Sequence, residues 1–145
     1  MFLGEYEHSL DVKGRLAIPA KFRLRLGDGA VITRGLDGCL IIYPSEKWLE
    51  MASRLDALPS THEAARIYKR FVFSGATECD FDRQGRVLIP AFLRSYAAVG
   101  DSAVVVGQYS TVEIWGRDRW EATRPSDQQS VAQAAESLAG LGLGV

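Results

Sequence analysis

Two stretches of this chain read almost alike: Asp11-Val-Lys-Gly-Arg-Leu-Ala-Ile-Pro-Ala-Lys-Phe-Arg23 and Asp82-Arg-Gln-Gly-Arg-Val-Leu-Ile-Pro-Ala-Phe-Leu-Arg94. Seven of the 13 positions are identical, and this repeat decides the fold. The correspondence runs on downstream with small gaps. Gly27-Asp28 answers Gly100-Asp101. The run Cys39 to Tyr43, followed by Trp48, answers Thr111 to Trp115, followed by Trp120. The chain is therefore an internal duplication. A unit of roughly 45 residues buries too little surface to be secure alone, so the two halves are expected to share one core.

Each unit has a local reading. Glu5 to Leu10 and Arg15 to Ile18 are short runs rich in β-formers. Between them sits Asp-x-x-Gly, which suits a type I turn whose glycine takes positive φ in a bulge. A β-hairpin with Asp11 to Gly14 at its tip follows, repeated with Asp82 to Gly85. Pro19 and Pro90 end the strands and suit the first position of a short helix. Those helices are expected over Ala20 to Leu26 and Ala91 to Ala97. A second strand pair follows in each unit: Ala30 to Thr33 with Leu40 to Tyr43, and Ala103 to Val106 with Val112 to Trp115.

The connector reads as helical. Ser45 is placed to cap a helix with Trp48, Met51, Ala52, Leu55 and Leu58 on one face. Ser60 and Glu63 form a capping box for a second helix over Thr61 to Phe71. Asp118 is placed to cap a short helix that stops before Pro125, and Ser126 with Gln129 opens another, presenting Val131, Ala135 and Leu138. The last residues, from Gly140, are expected to fray. The resulting division is a module over 5–47, a helical connector over 48–75, a second module over 76–119 and a helical tail over 120–145.

The composition narrows the class. The chain has 145 residues, 47% hydrophobic and 24% charged, which describes an ordinary globular domain. No stretch approaches a membrane span, and the acidic N-terminus does not resemble a secretory signal. Two cysteines are too few for a disulfide framework, and a cytoplasmic protein is the expectation. Net charge is only −1, but its distribution is uneven. Asp11 to Arg34 carries +4 and Asp82 to Arg94 carries +2, leaving −7 for everything else. Positive charge is concentrated around the two repeats.

The candidate chemistry lies at the hairpin tips. Leu16 and Ile18 suit the core, so strand alternation turns Arg15 outward. Arg83 and Arg86 are its counterparts in the second unit, with Lys13 on the first turn. A guanidinium neutralises phosphate and makes paired hydrogen bonds to guanine O6 and N7, and a two-stranded ribbon fits the major groove. The plainer alternative is that Asp11 with Arg15, and Asp82 with Arg86, merely stabilise their turns. Lys13, Lys21 and Arg23 are expected to serve phosphates or nothing. The signature turn residues are Asp11, Gly14, Asp82 and Gly85. A β-branched residue at Gly14 would resist the positive φ the turn needs.

The duplicated Asp-x-x-Gly-Arg, apolar residue, any residue, Ile-Pro-Ala resembles the SpoVT/AbrB class of swapped-hairpin DNA-binding modules. Met1 to Gly4, Val105 to Tyr109 and Glu113 to Trp115 narrow the resemblance to the MraZ family of transcriptional regulators, over about residues 1–120. That resemblance implies an α+β fold. Two tandem ββαββ modules would pair as an intrachain pseudo-dimeric swapped-hairpin β-barrel. It also implies a homo-oligomeric ring that binds double-stranded DNA at repeated elements of the division and cell-wall gene cluster, in the cytoplasm at the nucleoid. The family's Asp-x-x-x-Arg signature falls on Asp11/Arg15 and Asp82/Arg86. No cofactor, membrane or small-molecule substrate is implied.

Other residues have plainer readings. His8, His62, Cys39 and Cys79 lack paired metal-ligand spacing. Arg66, Lys69 and Arg70 read as a solvated helix face, and Phe71, Phe73, Trp115 and Trp120 as core. No nucleophile–base set or phosphate loop is visible, so an enzyme is not expected. The remaining alternative is an AbrB-like protein-interaction module such as an antitoxin.

Overall fold

The computed structural model describes residues 1–145. In chain order its elements are β1 (Glu5–Ser9), β2 (Arg15–Ala17), α1 (Ala20–Leu26), β3 (Val31–Arg34), β4 (Leu40–Tyr43), α2 (Ser45–Asp56), α3 (Glu63–Phe73), β5 (Thr77–Glu78), β6 (Arg86–Leu88), α4 (Ala91–Tyr96), β7 (Ser102–Gly107), β8 (Val112–Gly116), α5 (Arg117–Thr123) and α6 (Gln128–Gly140). The fold is α+β, and each half follows the order β-β-α-β-β. Six strands form one antiparallel sheet in the order β1-β7-β8-β4-β3-β5, while β2 and β6 form a separate ribbon.

The register shows how the halves interlock. Tyr6 of β1 pairs with Val105 of β7, and its repeat counterpart Thr77 of β5 pairs with Ile32 of β3. Each half thus lends its first strand to the other half's third. The ribbon centres on Leu16 opposite Val87, and the sheet on Ile41 opposite Glu113, both repeat-equivalent pairs. A local twofold passes through these two points.

This interlocking corrects the expected hairpins. The tips form, with Leu10 bridging Leu16 and the Asp11 N–H donating to the Arg15 carbonyl at 3.0 Å. Beyond that bridge the two arms separate, β1 to β7 and β2 to β6. Alternation fixes which face a strand buries but carries no information on its partner.

One core lies between sheet and ribbon. Ile32, Leu40, Ile42, Val105, Val112 and Ile114 from the sheet meet Leu16, Ile18, Val87 and Ile89 from the ribbon side, with Phe22 of α1 and Leu93 of α4. The outer face of the sheet carries a smaller cluster of Cys39, Val104, Val106, Trp115 and Trp120, against which Ile41 packs. Phe71 and Phe73 are half-buried, packed edge-on against Tyr96 and Trp48 respectively.

Most helix starts differ from the sequence expectation in one respect. Pro19 and Pro90 stand one residue earlier, at the cap, with extended ψ of 135° and 148°. The Pro19 carbonyl accepts the first helical bonds, from Phe22 and Arg23. Ser45 lies inside α2 behind Pro44, α3 starts at Glu63 behind His62, and Asp118 lies in the first turn of α5; none of the three starts has a side-chain cap. Acidic residues still occupy each first turn, where the helix dipole favours them. Asp127, not Ser126, caps α6, accepting from the Gln129 N–H and the Ser130 hydroxyl.

The end of α6 carries its own closure where fraying is expected from the sequence. Gly142 takes φ +74°, Leu143 N–H donates to the Leu138 carbonyl and Gly142 N–H to the Ala139 carbonyl, a Schellman closure. The connector's basic residues are partly structural. Lys69 donates to the carbonyls of Asp56 and Leu58, closing the end of α2, and Arg66 donates to that of Ser60.

Candidate nucleic-acid interface

The tips are built by their aspartates. At the first, Gly14 N–H donates to the Asp11 carbonyl at 3.0 Å, and Gly14 takes φ +86°. Asp11 Oδ1 accepts the backbone N–H groups of Lys13 (3.0 Å) and Arg15 (2.9 Å), and Oδ2 accepts Arg15 Nε at 2.6 Å. The second tip repeats this. Gly85 has φ +75°, and Asp82 accepts from Gln84 N–H, Arg86 N–H and Arg86 Nε, each at 2.9 Å. The Arg15 backbone N–H is the main influence that lowers the Asp11 pKa, to about 2. That of Arg86 does the same for Asp82, so both carboxylates are ionised at neutral pH.

The local twofold brings the tips together. Arg86 also reaches Asp11, at 3.2 Å from the first tip's carboxylate. Arg15 and Arg86 therefore stand on one face of the ribbon with Ala17 and Leu88, opposite the fully buried Leu16 and Val87. Their side chains remain 34% and 27% exposed, so neither guanidinium is sealed. Lys13 and Arg83 are exposed on the turns. One equivalence needs correcting: with Asp11 matched to Asp82, Arg83 takes the place of Val12, and Gln84 that of Lys13.

A supporting layer was not legible beforehand. Arg23 Nε donates to the Ile18 carbonyl at 3.0 Å, and its guanidinium lies over Gly85 of the opposite tip, where a Cβ would come within 2.4 Å of Nε. Arg94 does the same with Ile89 (2.9 Å) and Gly14 (2.6 Å). The Ile18 and Ile89 N–H groups donate to the carbonyls of Gly85 and Gly14. Arg23, read from the sequence as serving phosphate or nothing, props the other half's turn. The available signal was that Arg23 and Arg94 close the identical stretch. Lys21 lies over the Tyr6 ring, 4.6 Å from its centroid.

The remaining candidates do not converge. No three His, Cys, Asp or Glu side chains gather as metal ligands would. Both cysteines are free and buried, and burial pushes each thiol up to about 12, far from nucleophilic.

Fold and site together define a class: an internally duplicated α+β protein of two β-β-α-β-β units on a shared core, with paired Asp–Arg turns on one face. A family model described as "MraZ protein, putative antitoxin-like" matches residues 1–71 and again 72–141, the same 71-residue step that separates Asp11 from Asp82. A "Transcriptional regulator MraZ" of Pelotomaculum thermopropionicum is 49% identical over 145 residues, the whole of both chains. One from Heliobacterium modesticaldum is 49% identical over 138 residues, 95% of this chain and 96% of its own. Another, from Desulfitobacterium hafniense, is 50% identical over 143 residues, 99% of this chain and all of its own. The chain belongs to the MraZ family.

Proposed function

We propose that this protein is a transcriptional regulator that binds double-stranded DNA sequence-specifically through its two tips. The observation that carries the reading is the juxtaposition of Arg15 and Arg86 on the outward face of one ribbon, each steadied by an aspartate. This reconciles the two readings of the Asp–Arg pair. An exposed ion pair contributes little stability by itself. Holding a guanidinium through Nε, however, fixes its plane and leaves its terminal N–H groups to address a base edge. Both arginines are engaged through Nε, and Arg86 in addition shares one terminal nitrogen with Asp11. Lys13 serves phosphate, and Arg83 adds to the sequence preference of the tip arginines. The curated relatives' name supports the regulatory role.

In this reading the interlocked halves are the swapped-hairpin barrel of the SpoVT/AbrB class, with modules at 5–47 and 76–119, a connector at 48–75 and a tail at 120–145. The exchange of β1 and β5 between halves supports that assignment. The target is the set of repeated promoter elements of the bacterial division and cell-wall gene cluster, bound at the nucleoid. One subunit offers few cations on an otherwise acidic chain, so a homo-oligomeric ring engaging several repeats makes each further contact effectively intramolecular. No cofactor or small-molecule substrate enters this mechanism, and no helix is long and apolar enough to cross a membrane.

The test is a titration against the protein's own upstream DNA, with repeats intact and scrambled, at two salt concentrations. Intact repeats are expected to bind more tightly, with a log–log salt slope of about −0.9 per phosphate contact. Arg15→Ala is expected to weaken operator binding about tenfold or more, from loss of one base contact of ~1–3 kcal/mol multiplied over repeats, with assembly size unchanged. Unchanged operator affinity in that variant overturns the assignment. The family description "putative antitoxin-like" favours a second reading, a protein-interaction module of antitoxin type. Co-purification of a small toxin, with equal affinity for intact and scrambled DNA, would select it.

A further inference from the structure

The two tips are not copies on the face they share. Apart from the buried Leu16/Val87 pair, the twofold relation between Asp11–Ile18 and Asp82–Ile89 is broken at three positions: Val12 against Arg83, Lys13 against Gln84, and Ala17 against Leu88. The last lies between the two arginines. In the ribbon register Leu88 stands directly opposite Arg15, while Ala17 stands opposite Arg86. Leu88 is 53% exposed, on the outward face, whereas its strand neighbours Val87 and Ile89 are buried. Directly across the ribbon, Arg15 therefore faces a projecting apolar side chain and Arg86 only a methyl group, while Leu88 also follows Arg86 by two residues on the same face.

We propose that Leu88 is a specificity-determining residue that meets a thymine C5-methyl beside the base edge addressed by Arg15. The inference rests on the DNA-binding reading above and extends it. Paired strands lie about 4.8 Å apart and successive bases on one DNA strand rise about 3.4 Å, so a ribbon laid with its strand-to-strand direction along the groove sets cross-strand neighbours against neighbouring base pairs. In the major groove thymine differs from every other base by its methyl group, which takes an apolar contact. Arg15 with Leu88 thus reads a guanine next to a thymine. Arg86 with Ala17 reads a guanine with no such demand.

The experiment replaces each thymine of one upstream repeat by deoxyuridine, which removes only the methyl group. Wild-type protein and Leu88→Ala are titrated against the set. Leu88 is exposed, so thermal unfolding of the variant should match wild type. The expected result is one or two positions where deoxyuridine weakens wild-type binding about fourfold, the scale of one buried methyl, and has no effect on Leu88→Ala. Ala17→Leu should create new sensitive positions on the opposite side of the element. Equal deoxyuridine costs in wild type and Leu88→Ala, or no cost anywhere, overturn the inference while leaving Arg15-dependent binding in place. Failure of wild type to distinguish intact from scrambled repeats overturns the DNA-binding reading itself.

Discussion

Gly14 and Gly85 each satisfy two constraints at once. Positive φ closes the turn, and the absent side chain admits the arginine of the other half. Gly29 provides a comparison, because it too has positive φ (+79°) while a built Cβ would meet nothing nearer than Ser45 Oγ at 3.4 Å. Gly14→Ala and Gly29→Ala therefore share a positive-φ cost, of order 1–3 kcal/mol, and only Gly14→Ala also displaces Arg94. Urea unfolding is expected to show the larger loss for Gly14→Ala; equal losses would mean that Arg94 does not press on the tip. The turn requirement was legible in Asp-x-x-Gly because it depends on residues within four positions of one another. The pressure from Arg94 was not, since it comes from 80 positions away in the chain.

Among the elements, α6 depends most on local chemistry. Every residue from Glu121 to Val145 is exposed, so α6 draws little support from packing. A helix of 13 residues is marginal by itself in water, and its ends matter accordingly. Asp127 holds the first turn, and its pKa is lowered chiefly by the Ser130 hydroxyl. A depressed carboxylate supports the helix above its ordinary range and ceases to as pH falls through the lowered value. Asp127→Ala is expected to cost about 1 kcal/mol of helix stability, seen as lost ellipticity and faster amide exchange within Gln128–Gly140. The global unfolding midpoint should not move; a shift would mean that α6 is packed. The other helices were placed correctly to within a few residues while their caps were not. Their starts follow prolines, strand ends or tight turns, so backbone geometry replaced the Ser and Asp side chains that the pattern favoured.

For the whole molecule, strand exchange makes the halves interdependent. β1 pairs only with β7, and β5 only with β3, while β2 and β6 pair with each other. Residues 1–75 expressed alone lack the partners of β1 and β2. They are expected to be unfolded as a monomer, or to dimerise with a second copy supplying equivalent strands. Sedimentation together with far-UV dichroism distinguishes these outcomes from a folded monomer, which would contradict the pairing. The intact chain should unfold in one transition over its single main core, with α6 melting separately.

The sequence by itself determined the duplication, the α+β order of each unit, the tip turns and the arginines they carry. All of these follow from short-range chemistry: turn residues at fixed offsets, alternation along a strand, and self-similarity between two segments. Only the tertiary structure decided that each half lends its first strand to the other. It also decided that Arg23 and Arg94 prop the opposite turns, and that Arg86 reaches across to Asp11. Those contacts join residues between 45 and about 100 positions apart, and a pattern that sorts buried from exposed faces does not specify which distant strand will complete the sheet.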